Sequence, residues 1–347
     1  MRIIQLVRAT TWGGGERYAL DLCGRSAETG DKVTVVSRGI PAVDSRFSHL
    51  PVEMVKIPLG GFLDFSSPGK LARLIMSYPE ERVIIHVHNF KDAEIVARAK
   101  KIIGHREEVR LICTRHLVKR GKRSVRWKFI LNAIDRLIFV SDLAKREFLS
   151  SNPPIDPIKI GIIHNSIVIP GKFATPVPAP SDREIKLLFT GRLSPEKGID
   201  TLIKALPLLS DIPIRLRIAG TGSKEYQESL LKLAADLGVT EKIDWIGFIP
   251  DVYEEVRKAD ICVAPSRARE SFGLTVIEAM SQGRPIVTTD NGAQPEIITD
   301  GKDGLLIRPE DENLLAEAIR KLSADPDLRR EMGRNAFNTF SARFSYD

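Results

Sequence analysis

Apolar residues along this chain fall into two kinds of stretch. Short, nearly continuous runs rich in Val, Ile and Leu alternate with longer stretches whose apolar positions recur every three or four residues. The short runs predict strands at 2–7, 32–37, 52–57, 83–87, 109–113, 136–140 and 159–163. They show little polar alternation, which is the pattern of parallel strands buried on both faces. Amphipathic stretches at 16–27, 92–103 and 142–149 predict helices between them. The segment 167–183 then breaks the alternation with Pro170, Pro176, Pro178 and Pro180, and reads as a linker because proline fixes φ and removes a backbone donor. A second series of strands follows at 185–190, 214–219, 243–246, 261–264, 285–289 and 305–307. Strand–helix alternation on both sides of a linker predicts an α/β protein with two doubly wound, Rossmann-like domains, 1–166 and 184–347. Ligands of such open sheets sit beyond the carboxyl ends of the strands, so the residues after each strand carry the functional reading.

The length of 347 residues suits two domains of about 150 residues each. Cys23, Cys113 and Cys262 are far apart and odd in number, which fits a reducing compartment and offers neither a disulfide framework nor a metal-ligand spacing. A strand-like run, 2–7, stands where a signal peptide would have a basic segment and an apolar one. No apolar stretch approaches the ~20 residues of a spanning helix, so a cytoplasmic protein is expected. The net charge of +7 is uneven: residues 1–172 hold 29 Lys and Arg against 17 Asp and Glu, and the remainder 23 against 28. A basic half joined to an acidic half suggests that the first domain meets a membrane surface, a phosphorylated glycan or nucleic acid.

Three loops carry candidate chemistry. After the first strand, Gly13-Gly14-Gly15 opens a helix, where glycines let a ligand approach the backbone and helix-start amides favour an anion. A dinucleotide fingerprint fails there, because Tyr18 stands where Gly or Ala is wanted. After the strand at 185–190 comes Gly191-Arg192-Leu193-Ser194-Pro195-Glu196-Lys197-Gly198, in which Ser194 reads as an N-cap and Pro195 as the first helical residue. Lys197 in a first helical turn opposes the helix dipole, a cost that a diphosphate shared with Arg192 would remove. The third loop, 265–280, holds Glu270 and leads into a helix starting near Phe272, Gly273 and Leu274, whose amides are expected as donors. Glu278 lies a turn further on among Val276, Ile277, Ala279 and Met280, where a carboxylate needs a polar partner such as sugar hydroxyls.

The pair Glu270-x7-Glu278, with Gly191-Arg192 and Lys197-Gly198 upstream, closely resembles the retaining glycosyltransferases of family 4, which have the GT-B fold. Gly13–Gly15, Val140-Ser141, Gly220-Thr221-Gly222 and Gly247-Phe248-Ile249-Pro250 follow in the family's order, so the resemblance spans nearly the whole chain. It implies two domains facing a cleft that holds a nucleotide-sugar donor. Arg192 and Lys197 would hold the diphosphate as charge grows on it, and amides of Gly14 and Gly15 would approach the same phosphates. Glu278 would accept from the ribose hydroxyls. Glu270 and the amides after it would hold the transferred sugar, with Gly220 beside the donor and backbone near Phe248 and Ile249 reading the base. His116, in Cys113-Thr114-Arg115-His116, matches an active-site histidine beside the donor sugar. The family also implies retention of configuration by same-face attack and a requirement for no cofactor or divalent metal, the nucleotide-sugar being a substrate. It implies a closing helix returning to the first domain, about where the chain reaches Phe344-Ser345-Tyr346-Asp347.

The expected activity is transfer of a hexose-type sugar, from a UDP-sugar by preference, to a cell-surface glycan or glycolipid such as lipopolysaccharide core. Alternatives are a nucleotide-sugar epimerase or hydrolase of the same fold and a non-catalytic nucleotide-sugar-binding scaffold. Intact Glu270, Glu278, Arg192, Lys197 and His116 argue against the scaffold. His86 and His88 share one strand face, where a pair facing the acceptor is favoured over a metal pair lacking a third ligand. Asp325-Pro326-Asp327 reads as a helix-start turn rather than a metal-binding carboxylate pair, and Asn165 as a hinge position. The segment Lys119-Arg120-Gly121-Lys122-Arg123-Ser124-Val125-Arg126-Trp127-Lys128 carries six cations and one Trp. Without an aromatic platform it does not read as nucleic-acid binding. A peripheral contact with anionic lipid at the inner face of the plasma membrane is the reading preferred to a solvated basic face.

Overall fold

The structure, a computed structural model, describes residues 1–10, 13–61, 64–79, 81–104, 106–168 and 184–346. The chain divides into two compact units, Met1–Asn165 and Ser166–Asp347. Of the expected linker only Ile167 and Val168 are described; 169–183 lie outside the described residues.

The first unit is built on a parallel sheet of β1 (Arg2–Val7), β2 (Lys32–Ser37), β3 (Glu53–Lys56), β4 (Val83–Val87), β5 (Val109–Arg115), β6 (Arg136–Phe139) and β7 (Ile160–Ile162). Their spatial order is β3-β2-β1-β4-β5-β6-β7. The second unit repeats the plan with β8 (Ile185–Thr190), β9 (Ile214–Ala219), β10 (Ile243–Gly247), β11 (Ile261–Ala264), β12 (Ile286–Thr289) and β13 (Leu305–Ile307), ordered β10-β9-β8-β11-β12-β13. Each sheet therefore runs outward from its first strand and then reverses past it, making a topological switch point between β1 and β4 and another between β8 and β11. A crevice opens there because the crossover helices diverge to opposite faces.

The apolar runs form these strands because both faces are covered. Ile4, Ile85, Val87, Leu111 and Leu137 are fully buried in the first unit, as are Leu187, Leu216, Ile261 and Val287 in the second. Strand ends differ from the expected bounds by a residue or two. β5 runs on to Arg115 because Thr114 and Arg115 pair with Ile138 and Phe139 of β6, which carries the sheet to the edge of His116. β12 begins after Pro285, which has no amide to donate.

Helices begin where polar side chains satisfy their first amides. Asn89 accepts from Asp92 N ahead of Phe90–Ile103, and Ser141 from Ala144 N ahead of Asp142–Leu149. Asp325 accepts from Leu328 N with Pro326 in the first turn, so Asp325-Pro326-Asp327 is the start of the helix Pro326–Arg343.

Candidate active site

In the second unit three strand ends converge at the switch point. After β8, Pro195 opens a single 3₁₀ turn, Pro195–Lys197, and the α-helix proper is Ile199–Ala205. Gly198 separates them at φ 68°, and a Cβ there would lie 2.0 Å from the carbonyl oxygen of Pro265. Only glycine allows this turn to press against the loop after β11. Ser194 occupies the cap position without bonding the turn's amides; its hydroxyl instead holds the Glu196 carboxylate below its usual range, helped by the Glu196 amide and by the charges of Arg192 and Lys197.

The loop after β11 is fastened on both sides. The amides of Arg267 and Ala268 donate to the Glu196 carbonyl at 2.8 and 3.2 Å, and the Arg267 guanidinium reaches Asp200 and, at 3.2 Å, Glu310. From the other side Thr289 Oγ1 donates to Ser266 O (2.8 Å), Asn291 Nδ2 to Arg267 O (2.6 Å) and Ala293 N to Glu270 O (3.0 Å). The result is a rigid hairpin of backbone that aims Glu270 at the β8 turn. Lys197 Nζ donates to Glu270 Oε1 at 2.6 Å, and Ser266 Oγ donates to the same oxygen at 2.6 Å. The second oxygen, Oε2, has no partner among the described residues and can accept two further hydrogen bonds.

This corrects the electrostatic expectation for Lys197. It is not an uncompensated cation in a helical turn but an ion-paired one, with its side chain and that of Glu270 29% and 23% exposed. Arg192 stands exposed in the loop nearby. The helix Leu274–Ser281 starts behind Gly273, whose φ of 125° turns the chain sharply, and no side chain caps its first turn. Phe272 anchors the loop through a side chain 2% exposed, edge-on to Phe344 at 5.8 Å. Glu278 is half-buried on that helix between buried Ile277 and Ala279. Its charge adds to burial in pushing the Cys262 thiol up to about 12, against the opposing pull of Arg284.

The two glycine loops after β9 and β10 are built as follows. The Gly220 amide donates to Gly247 O at 2.7 Å, and a Cβ on Gly220 would fall 1.8 Å from Gly191 O. Gly220 thus ties the loops after β8, β9 and β10 together, and its amide is already engaged. Phe248 is 54% exposed and Ile249 partly so, in the loop after β10.

In the first unit the switch point holds a cavity of about 230 Å³ lined by Val7, Arg8, Gly15, Glu16, His88 and Asn89, among others. The helix Gly14–Glu28 starts there, and a Cβ built on Gly15 meets nothing within 4 Å. Arg8 forms one wall, donating to Asp92 Oδ1 at 2.6 Å and Gly60 O at 2.8 Å. Burial raises the Asp92 carboxyl, while Arg8 and Asn89 pull it down.

His116, beyond β5, joins His86 and His88 in one cluster. Ring centroids are 4.6 Å apart for His86 and His88 and 5.6 Å for His88 and His116, and Tyr18 stands edge-on to all three. Gln5 lies between, with Nε2 3.2 Å from His86 Nδ1 and Oε1 3.1 Å from His88 Nε2. Burial lowers His86 to about 3 and His116 to about 4, and takes His88 well below the usual value. His86 is 8% exposed and bonded to Gln5 and Thr114, and of this pair His88 alone lines the cavity. Among the described residues no group of three or more His, Cys, Asp or Glu is placed to hold a metal ion. The three cysteine thiols are buried and pushed up to about 12, which makes them poor nucleophiles.

Sequence reasoning missed the partners of the site residues: Ser266 on Glu270, the Arg267–Asp200 tie, and Gln5, Thr114 and Tyr18 around the histidines. Gln5 left a signal, being polar in the middle of an apolar strand.

In the basic segment, Trp127 points inward, 4.6 Å from Phe90 and 6.0 Å from Phe148. The apolar groups at the surface are Leu117, Val125 and Phe129, 50%, 87% and 38% exposed. Lys122, Arg123 and Lys128 are exposed beside them. Among the described residues no helix is long and apolar enough to cross a membrane.

Two parallel sheets with the same reversal of strand order define an α/β protein of two Rossmann-like units. Two family models match side by side, Glycosyltransferase Family 4 over residues 12–169 and Glycosyl transferases group 1 over residues 174–339. The chain belongs to the group 1 glycosyltransferases of GT-B fold. EpsD of Bacillus subtilis (strain 168) is 37% identical over 161 residues, 46% of this chain and 41% of its own. A D-inositol 3-phosphate glycosyltransferase of Streptomyces avermitilis is 36% identical over 164 residues, 43% of this chain and 34% of its own. These alignments span less than half the length of either relative. The crystal structure of HepE from Anabaena in complex with UDP-glucose superposes with a TM-score of 0.82 over 99% of this chain and 96% of that one, at 20% identity. At that identity the likeness speaks to fold.

Proposed function

We propose that this protein is a retaining, metal-independent glycosyltransferase that takes a hexose-type sugar from a nucleotide-sugar, by preference a UDP-sugar. The observation that carries the reading is the arrangement at the β8–β11 switch point. Lys197 and Ser266 hold one oxygen of Glu270 and leave the other available to sugar hydroxyls. An uncapped helix start lies four residues further on, and Arg192 is exposed nearby. Positive potential from Arg192, Lys197 and the helix start suits the charge that grows on a departing diphosphate. That is the work a divalent cation does elsewhere, so none is needed here. Glu278 takes the ribose hydroxyls, and the bound UDP-glucose of HepE favours a uridine donor. Same-face attack, in which the departing phosphate takes the acceptor proton, accounts for retention without an enzyme nucleophile.

The acceptor is a cell-surface glycan or glycolipid such as lipopolysaccharide core, received on the first unit. Val125 and Phe129, exposed one helical turn apart among Lys122, Arg123 and Lys128, suit contact with anionic lipid on the cytoplasmic side.

The test is thermal melting of the full chain with UDP, GDP or ADP in excess chelator. A ligand that binds the folded state stabilises it by about 2.7 kcal/mol at a hundred times its Kd. UDP is expected to raise the melting temperature most, with the rise abolished in Arg192→Ala. Absence of any shift, or a shift that appears only when Mg²⁺ replaces the chelator, overturns the reading.

A further inference from the structure

The histidine cluster of the first unit holds more order than a set of packed rings. An amide nitrogen can only donate and an amide oxygen can only accept. With Gln5 Nε2 at 3.2 Å, His86 Nδ1 must be an acceptor. Its proton is then on Nε2, which donates to Thr114 Oγ1 at 2.8 Å. With Gln5 Oε1 at 3.1 Å, His88 Nε2 must carry a proton. A neutral His88 then has its lone pair on Nδ1, and the group facing that atom at 3.4 Å is His116 Nε2, which must donate. His116 therefore carries its proton on Nε2 and its lone pair on Nδ1.

We infer that Gln5, acting through His88, is a positioning residue that fixes which nitrogen of His116 carries the proton. The inference rests on the proposed transfer and on the role in it that the family resemblance implies for His116, and adds what that role requires: a ring presenting one defined face. Burial keeps all three rings neutral, so each has one proton and the chain has no slack. Turning the Gln5 amide over would invert every tautomer in turn, leaving His116 with its proton on Nδ1. In the structure Gln5 holds the first arrangement, with Nε2 toward His86 and Oε1 toward His88. Gln5 sits on β1 and Thr114 on β5, flanking β4, so the sheet register itself sets the proton positions.

The experiment uses the full chain labelled with ¹⁵N-histidine. Long-range proton–nitrogen spectra at neutral pH identify the tautomer of each ring, and His116 is assigned by the signals lost in His116→Ala. The expected result is His116 in the Nε2–H form in the parent protein. In a Gln5→Leu protein with a parental melt, His116 is expected as a mixture of tautomers. The release of UDP from UDP-glucose should then fall about tenfold to a hundredfold in kcat with KM little changed. Gln5→Glu, whose carboxylate only accepts, should move the His86 proton to Nδ1 while His116 stays Nε2–H and turnover is retained. An Nδ1–H tautomer for His116 in the parent, or an unchanged tautomer in folded Gln5→Leu, overturns the inference. Parental turnover in His116→Ala overturns the role of His116 instead, and the spectra still decide whether Gln5 sets its tautomer.

Discussion

Lys197 and Glu270 are 73 residues apart in sequence and 2.6 Å apart in space, joined because Gly198 lets the turn after β8 lie against the carbonyl of Pro265. The pair is partly shielded and Ser266 shares its oxygen, so it should couple more strongly than a surface ion pair. A double-mutant cycle of Lys197→Ala and Glu270→Ala, measured by urea unfolding, is expected to give a coupling of about 1–2 kcal/mol. Additive single effects would show the pair to be incidental.

The two glutamates should fail differently. Ribose hydroxyls are held alike before and during reaction, so Glu278→Ala should weaken donor binding and leave turnover nearly intact. Glu270→Gln should chiefly lower kcat, because the sugar shifts as its bond to phosphate breaks. Losing a charged hydrogen-bond partner costs about 1.5–3 kcal/mol, so roughly 10- to 200-fold in the affected parameter is expected. Steady-state kinetics in donor concentration separates the two, and the same pattern from both variants would contradict the assigned roles.

The neutral histidines make a pH prediction with a definite sign. His86 and His116 are lowered to about 3 and about 4, and His88 well below its usual value. The unfolded chain takes up these protons near pH 6.5, where the folded protein does not. The stability they contribute is therefore complete above about pH 6.5 and is lost as pH falls toward 4. Each fully depressed ring adds a slope of up to about 1.4 kcal/mol per pH unit below 6.5. Urea midpoints between pH 7 and pH 5, where few carboxylates titrate, should fall, and His86→Asn should flatten the fall by about a third. A flat parental profile would contradict burial of the cluster in the neutral form.

Most of the fold was legible in the sequence, because strands buried on both faces leave unbroken apolar runs. All thirteen expected strands form, with ends moved by a residue or two. Glu270, Arg192 and Lys197 could be placed near one another because they follow strands that meet at a switch point. What the sequence hid was the pairing among them. Nothing local marks Ser266 as a donor to Glu270, or Gly220 as a tie between three loops, since such contacts depend on separations of a few ångströms set by the packed sheet. Trp127 shows the same limit: an aromatic among six cations looks like a surface group, yet its ring packs inward, tilted against Phe90 and stacked on Phe148.

The basic segment predicts an electrostatic attachment. Each Lys or Arg near an anionic bilayer contributes about 1 kcal/mol, screened by salt. Co-sedimentation with vesicles rich in anionic lipid should fall when Lys119, Arg120, Lys122 and Arg123 are changed to Ser together. It should fall again in Val125→Ser with Phe129→Ser, and fall for the parent in high salt. Equal sedimentation of all three proteins would remove lipid as the partner of this surface.

Each sheet reverses past its own first strand, so each half of the chain owns a crevice without borrowing from the other. Arg192, Lys197, Glu270 and Glu278 all belong to Ser166–Asp347, while the cavity beside His88 belongs to Met1–Asn165. Descent with change can then act on the two halves at different rates. On the proposed function, a lineage can reshape the first unit for a new recipient while the fastened loop around Glu270 is inherited untouched, so many recipients can share one way of holding a leaving group.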